Sequence, residues 1–218
     1  MWDSPDLVSW SSPRYVVVAP PNAGMAWAPE AVCDEETGDF VVHFAAALYD
    51  EHDPDHEGEC LARLLVTRTE DFHEFSPAQP YLELPGGVID MTVAQADGQV
   101  HRFAKQDDAA PGSRQVFHQV GSSLHADDFV TLAQGLGQGF GAKVEGPLVF
   151  RSNSEERWYL WLDQYAEMPQ GYHALSTTDL RSGRWEPVAD ADFDLPENTK
   201  HGAVLPLRRA EWERLDAL

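Results

Sequence analysis

Short runs of alternating apolar and polar residues, separated by turn-forming residues, repeat along most of the chain. One series of runs is rich in β-branched and aromatic residues, and each of its members follows a turn signal containing Gly, Asn or Ser; it comprises residues 39–45, 99–104 and 157–162. A second series precedes these turns and comprises residues 28–32, 88–93 and 144–150. Two period-2 runs joined by a tight turn are typical of a β-hairpin. The pattern therefore predicts an all-β chain built from hairpins.

A turn phrase with an aspartate before a large apolar residue returns about every 50 to 65 residues. Its aspartates are Asp6, Asp71, Asp128 and Asp179. Each unit reads as strand, tight turn, strand, longer loop, strand, Asp-containing turn and short outer strand. Four short strands per unit at this spacing are the sequence signature of propeller blades. A β-sandwich with coincidental spacing is the alternative.

The repeat divides the chain into units of one propeller domain that covers residues 1–218. Residues 1–20 are predicted to end a first blade whose inner strands the sequence lacks. The remaining units are expected to be a second, a third, a fourth and a last blade, at residues 21–78, 79–133, 134–189 and 190–218. A helical turn is predicted at residues 209–215, where Glu and Arg share one face. The expected architecture is three full blades with parts of two more.

The charge of the chain excludes several classes of partner. Lys and Arg total 15 and Asp and Glu total 37, so the formal net charge is −22. A surface this acidic repels phosphate backbones and anionic lipid, so we expect no nucleic-acid or membrane partner. No run approaches the ~18 apolar residues of a membrane span. The first residues lack a secretion signal, so the chain as written is expected in the cytoplasm, and it is secreted if an extension carries a signal.

The inner strands place three carboxylates where chemistry is expected. Counting along the strands puts Glu30, Asp90 and Glu145 at matching positions, and in a propeller such positions converge on one central channel. Three carboxylates at one mouth repel one another, so at least one is expected to have a raised pKa. A protonated carboxylic acid beside an ionised one is the arrangement that glycoside hydrolysis uses.

Two further residues are candidates because of their place in the repeat. Trp27 precedes Glu30 by three residues, and its indole is expected to stack on the apolar face of a sugar. His201 is predicted at the start of the last inner strand, where its ring is expected to hold a water or a cation. Taken singly, each has a plainer explanation, which is a core tryptophan and a packed or surface histidine.

The phrases that carry these residues resemble one known family. Trp27-Ala28-Pro29-Glu30, Ile89-Asp90, Glu145-Gly146-Pro147 and His201-Gly202 are similar, in order and spacing, to glycoside hydrolase family 43. The resemblance implies an N-terminally incomplete five-bladed β-propeller. It also implies inverting hydrolysis of arabinofuranosides or related plant-polysaccharide glycosides. The closing phrase at residues 200–206 looks most like the arabinofuranosidase-type members.

The resemblance also implies roles for single residues. Glu145 matches the general acid, and Asp90 matches the aspartate that tunes and orients that acid. His201 matches the histidine near a central Ca²⁺ or other cation, and no organic cofactor is expected. Trp27 matches a sugar-contacting wall, and Glu30 is expected to bind substrate beside it.

The general base of the family has no match in this sequence. In the family it is an aspartate of an Asp-Pro phrase on the first inner strand, whereas the single Asp-Pro pair here, Asp53-Pro54, lies after Trp27. The expected partner is an oligosaccharide or polysaccharide substrate. A homodimer through open propeller edges is a further expectation, because a second chain would complete the ring. The alternative function is a non-catalytic sugar-binding propeller or a truncated remnant.

Overall fold

The protein is described here by a computed structural model that covers residues 1–107, 116–140 and 143–218. Within these ranges the chain forms three four-stranded sheets, one after the other in sequence. Sheet 1 consists of β1 (Trp27–Cys33), β2 (Phe40–Leu48), β3 (Leu61–Thr69) and β4 (Gln79–Leu82). Sheet 2 consists of β5 (Val88–Ala96), β6 (Gln99–Gln106), β7 (Val116–Gly121) and β8 (Val130–Leu136). Sheet 3 consists of β9 (Val144–Arg151), β10 (Trp158–Gln164), β11 (Gly171–Thr177) and β12 (Glu186–Pro187).

Helical structure is sparse in the described ranges. The helix α1 (Arg209–Leu215) confirms the predicted helical turn. Three single turns of 3₁₀ helix lie at Gln138–Phe140, Leu180–Ser182 and Asp190–Asp192. No helix of the described residues combines the length and apolar character that crossing a membrane requires.

Every sheet is an antiparallel meander whose strands are neighbours in chain order. The all-β prediction is therefore confirmed, as are the hairpins that join β1 to β2, β5 to β6 and β9 to β10. Sheets 1 and 2 end at Leu82 and Leu136, a few residues after the predicted unit boundaries at 78 and 133. The number of blades and the closure of a ring stay predictions.

The first strands of the three sheets lie side by side. β5 contacts β1 on one side and β9 on the other. Apolar side chains fill both interfaces: Leu64, Val88 and Met91 lie between sheets 1 and 2, and Phe103 and Leu160 lie between sheets 2 and 3. Because burial of such side chains stabilises by ~1.5–3 kcal/mol each, the interfaces hold the first strands in place.

Each first strand contains a β-bulge near its beginning. The pairing register shifts between Trp27 and Glu30 in sheet 1, between Ile89 and Met91 in sheet 2, and opposite Trp161 and Asp163 in sheet 3. The residues with positive φ at the bulges are Ala28 (46°), Asp90 (50°) and Gly146 (50°). Bulges bend a strand and re-aim side chains, and they are frequent beside active sites. The three bulges therefore give the sheets a common reference position.

Neither end of the chain contributes a strand to the three described sheets. Residues 1–22 contain no strand of a described sheet, although they were expected to end a first blade. Val18 and Ala19 instead pack on the apolar face of sheet 1, against Phe44 and Leu65. The inner strand predicted after Lys200 is also absent among the described residues. Residues 200–208 form no strand and pair with none of the three sheets.

Candidate functional site

The bulges of β5 and β9 bring Asp90 and Glu145 together. The backbone N–H of Gly146 donates a hydrogen bond to Asp90 Oδ2 at 3.1 Å, and it joins two residues that are 56 positions apart. Asp90 has the left-handed backbone conformation, which costs a non-glycine residue ~1–2 kcal/mol. Backbone strain of this kind persists where the surroundings enforce it, and it clusters at functional sites.

His201 lies against three carboxylates. Its Nε2 atom is 3.4 Å from Glu145 Oε1, 3.6 Å from Asp163 Oδ2 and 3.9 Å from Asp90 Oδ2. The contact with Glu145, followed by the charges of the other carboxylates, raises the pKa of His201 against the opposing effect of burial. The site therefore favours a protonated imidazole that faces all three acids.

Two contacts fix the position of His201, one with Gly146 of β9 and one between Gly202 and Tyr172. A Cβ on Gly146 would lie 3.0 Å from the His201 ring, so the bulge glycine leaves the room that the ring occupies. The N–H of Gly202 donates to the hydroxyl of Tyr172 at 2.6 Å. Tyr172 belongs to β11 and is buried, so this bond anchors the coil of residues 200–202 to sheet 3.

Asp163 is a site residue that the sequence did not single out. It faces Glu145 across the β9–β10 ladder, its side chain is 0% exposed, and neither carboxylate oxygen has a hydrogen-bond partner among the described residues. Burial raises its pKa to about 6, although the charges of Lys200 and His201 act in the opposite direction. The available signal was a charged residue at the end of an otherwise apolar strand.

Two ammonium groups flank the Glu145 carboxyl group. Lys105 Nζ is 3.9 Å from Oε2, and Lys200 Nζ is 4.0 Å from Oε1. Lys105 is almost fully buried and also lies over the ring of Tyr165, 5.0 Å from its centre. At these separations the contacts are electrostatic ion pairs, and the burial of Lys105 reduces their screening by solvent.

Glu30, Asp90 and Glu145 occupy three different positions relative to the bulges, so the expectation of matching strand positions is wrong. Alignment of the bulges puts Glu145 level with Trp27, and puts Glu30 level with Thr92 of β5. Glu30 accepts hydrogen bonds from the Thr92 hydroxyl at 3.0 Å and from the Val93 N–H at 3.4 Å. Burial outweighs these bonds and raises the pKa of Glu30 to about 7.

Glu30 nevertheless stays within electrostatic reach of the cluster. Its charge, together with those of Asp163 and Asp90, raises the pKa of Tyr172, on which burial has the largest effect. Burial raises the pKa of Glu30 and of Asp90, whereas mutual repulsion was the expected cause. In both residues burial is the first cause, and repulsion from Glu145 contributes only to Asp90.

Trp27 presents an exposed indole. Its side chain is 58% exposed, in contrast to the plainer expectation of a core tryptophan. In the bulge alignment it occupies, on β1, the position that Glu145 occupies on β9. The indole is therefore available to a ligand at the same level of the sheets as Glu145.

Three residues of the cluster have the spacing of a cation site. The donor atoms of Asp90, Glu145 and His201 lie within 4.8 Å of one another, close enough for one ion to contact all three. A metal ligand must be a neutral imidazole, however, and Ca²⁺ takes oxygen ligands. The raised pKa of His201 and the two nearby lysines favour a proton and ammonium groups as the balancing charges. These groups balance the carboxylate charges of the described residues, and a Ca²⁺ or other cation near His201 stays a prediction.

Comparison with known proteins points to carbohydrate-active enzymes. The profile of the family described as "Probable glycosyl hydrolase domain", related to glycoside hydrolase family 43, matches residues 1–213. An α-L-arabinofuranosidase of Bifidobacterium longum subsp. longum is 28% identical over a match that covers 49% of this chain and 11% of that protein.

Two solved structures show the same fold. A family 117 glycoside hydrolase of Zobellia galactanivorans has a TM-score of 0.60 and 9% identity, over 77% of this chain and 56% of that one. An α-L-arabinofuranosidase of Lactobacillus brevis has a TM-score of 0.54 and 19% identity, over 78% and 57%. The chain thus spans about a tenth of the curated relative and little more than half of these structures.

Proposed function

Because the chain belongs to the family of probable glycosyl hydrolase domains related to glycoside hydrolase family 43, we propose that it hydrolyses arabinofuranosides or related plant-polysaccharide glycosides with inversion. We propose further that its three sheets are blades of a five-bladed propeller. The side-by-side first strands support this arrangement, since inner strands of blades are neighbours around an axis.

One observation carries the assignment of the general acid. Of the three clustered carboxylates, Asp163 is 0% exposed, Asp90 is 5% exposed and Glu145 is 20% exposed. A general acid must come within hydrogen-bond distance of the glycosidic oxygen. Glu145 is therefore the carboxyl group of this cluster that a substrate can contact. In the proposed step it gives its proton to the leaving oxygen as the bond from that oxygen to the sugar carbon breaks.

Asp90 and His201 act on Glu145 as positioning residues in this proposal. Asp90 is held by the Gly146 N–H, directly beside Glu145 in the chain, and His201 contacts both carboxylates. A charged neighbour at fixed distance changes the free energy of proton transfer without touching the substrate. Asp90 and His201 thereby place charged groups beside the Glu145 carboxyl group, at positions that the bulge of β9 fixes.

Trp27 and Glu30 are proposed as the substrate walls. The exposed indole of Trp27 offers a flat apolar surface to a sugar ring. Glu30 is partly buried, and with a pKa of about 7 it is present in both protonation states near neutral pH, so that it serves as donor or acceptor to a sugar hydroxyl.

A second candidate function is sugar binding without turnover. Inversion needs another carboxylate that activates water on the opposite face of the sugar and takes its proton. Asp53 of the single Asp-Pro pair does not fill this role, because its carboxylate accepts hydrogen bonds from the N–H groups of Glu57 and Gly58 within the β2–β3 loop. The absence of a motif match for the base is the observation that favours binding alone.

Leaving-group dependence tests the assignment of Glu145. Hydrolysis of phenyl and 2,4-dinitrophenyl α-L-arabinofuranosides is compared between the wild type, Glu145→Gln and the exposed control Glu35→Gln. Loss of an acid should cost ~10²–10⁴-fold on the phenyl glycoside, which needs protonation, and far less on the dinitrophenyl glycoside. Equal losses on both substrates, or no loss at all, refute the role of Glu145 as acid.

Two further measurements separate hydrolysis from binding. Proton NMR of the first product reports whether the configuration at the sugar carbon is inverted. Sodium azide supplies a nucleophile that needs no base, so formation of a glycosyl azide without hydrolysis would identify a site that has the acid but lacks the base. Sugar binding with neither product establishes the second candidate function.

A further inference from the structure

A second concave region lies on sheet 3, outside the cluster of Asp90, Glu145, Asp163 and His201, which we call the Glu145 cluster. It is a cleft of about 620 Å³ between β11 and residues 193–197, and we call it the sheet-3 cleft. β12 pairs only with Leu175 and Ser176 of β11, so the first residues of β11 extend past the end of β12 and form one wall of the cleft. Its volume lies within the ~300–1,000 Å³ of small-ligand sites.

The cleft begins close to the proposed general acid. Glu145 faces Asp163 across the β9–β10 ladder, and Asp163 faces Tyr172 across the β10–β11 ladder. Tyr172 lines the cleft. Neighbouring strands are ~4.8 Å apart, so the backbone of Tyr172 is ~10 Å from that of Glu145. This separation is within the length of a chain of a few sugars whose scissile bond lies at Glu145.

The walls combine flat apolar surfaces with hydrogen-bonding groups. Phe140 and His173 stack with ring centroids 4.4 Å apart and an interplanar angle of 12°. Phe193 is held edge-on to Trp161 at 5.2 Å. Glu197 adds an exposed carboxylate to the same cleft. Sugars present apolar C–H faces to aromatic rings and hydroxyl groups to carboxylates, so this combination suits a carbohydrate.

The charge of the cleft narrows the class of carbohydrate. Asp194 and Glu197 are both exposed at its rim, and no lysine or arginine is among its described lining residues. The chain as a whole carries a formal charge of −22. Uronic acid, sulfated or phosphorylated sugars are therefore repelled.

From position, wall chemistry and charge we propose that the sheet-3 cleft binds a neutral oligosaccharide, namely the part of the substrate that extends outward from the bond at Glu145. This inference rests on the proposed glycosidase function and adds that the preferred substrate is a chain of several sugars. It also identifies Phe193 and Glu197 as residues that determine preference for chain length.

Calorimetric titration tests the proposal directly. The probes are neutral arabino-, xylo- and galacto-oligosaccharides of one to four units, added to the intact chain. Affinity is expected to rise at least tenfold from one to four units in one of the three series. Phe193→Leu keeps an apolar contact with Trp161 but removes the flat ring, and Glu197→Gln removes a charge at constant shape. Each is expected to weaken the tetrasaccharide about fivefold to tenfold and to leave the monosaccharide unchanged.

Asp127→Asn, an exposed change in the β7–β8 loop, is the matched control and should alter nothing. Affinity that does not depend on chain length, absence of binding in all three series, or unchanged affinity in both cleft variants overturns the proposal. Hydrolysis of the aryl arabinofuranosides is measured in parallel. Activity without length-dependent binding supports the glycosidase function and overturns the proposal for the cleft. Binding that depends on chain length and on the cleft variants, but without activity, supports the cleft and overturns hydrolysis.

Discussion

His43→Leu should stabilise the protein, and it should do so more in acid than at neutral pH. His43 lies in β2 with 1% of its surface exposed, and neither ring nitrogen has a hydrogen-bond partner among the described residues. Burial lowers its pKa to about 4. Glu30 faces it from β1 and Val66 from β3. The folded protein therefore holds a neutral imidazole that the unfolded chain protonates below pH 6.5.

The pKa shift gives the expected magnitude. Between pH 6.5 and 4 the unfolded state binds more protons than the folded state, so the free energy of unfolding decreases as the pH falls through this window. One pKa unit corresponds to ~1.36 kcal/mol, so at pH 4.5 the burial of neutral His43 costs about 2–3 kcal/mol. An unpaired buried polar group costs a further ~1–3 kcal/mol at any pH. Leucine removes both costs with a side chain of similar size.

Urea unfolding at pH 7.5 and pH 4.5 measures the effect. The stabilisation by His43→Leu should be about 2–3 kcal/mol larger at pH 4.5 than at pH 7.5. The exposed control His52→Leu should show no such difference. Because Glu30 titrates nearby, the pair of measurements is repeated in the Glu30→Gln background. If His43→Leu changes the free energy of unfolding equally at both pH values, the imidazole is not buried in its neutral form and the reasoning is refuted.

Three further predictions concern the Glu145 cluster and the neighbouring Glu30. Asp163→Asn should lower the pKa of His201, because it removes one of the carboxylate charges that raise it; an NMR titration that shows no fall contradicts the contact at 3.6 Å. Gly146→Ala should destabilise by ~1–2 kcal/mol through its positive φ and should also displace the His201 ring, which a melting curve and the His201 chemical shifts report together. Thr92→Val should raise the pKa of Glu30 further, because the hydroxyl at 3.0 Å stabilises the ionised form; a lower or unchanged value in carboxyl ¹³C titration opposes this.

The hairpins could be predicted because they depend on local sequence. Residues 88–93 and 144–150 were expected to be strands, and the observed strands β5 and β9 begin at Val88 and Val144. Strict alternation, β-branched side chains and Gly- or Asn-containing turns act within a few residues of one another. Such signals do not depend on which sheet packs against which.

The register of the site could not be predicted in the same way. A count of residues along the strands made Glu30 equivalent to Asp90 and Glu145. Relative to the positive-φ residue of each bulge, however, Glu30 lies two positions after it, Asp90 is that residue, and Glu145 lies one position before it. Ala28 has no preference for the left-handed conformation and Asp90 has only a weak one, so neither residue identifies a bulge in the sequence. The hydrogen bond from Gly146 to Asp90 and the packing of sheets 2 and 3 decide the register, and both are contacts between distant parts of the chain.

The physical basis of the site is a local balance of charge that the composition conceals. The chain as a whole has more than twice as many acidic as basic residues. Around the Glu145 carboxyl group, however, three acidic groups meet three basic ones, and these are Asp90, Glu145, Asp163, Lys105, Lys200 and His201. Buried carboxylates without such partners would be neutralised by protons, because desolvation penalises the charged form. Lys105 and Lys200 therefore place positive charge 3.9 Å and 4.0 Å from the Glu145 carboxyl group, which reduces the cost of burying the neighbouring carboxylates.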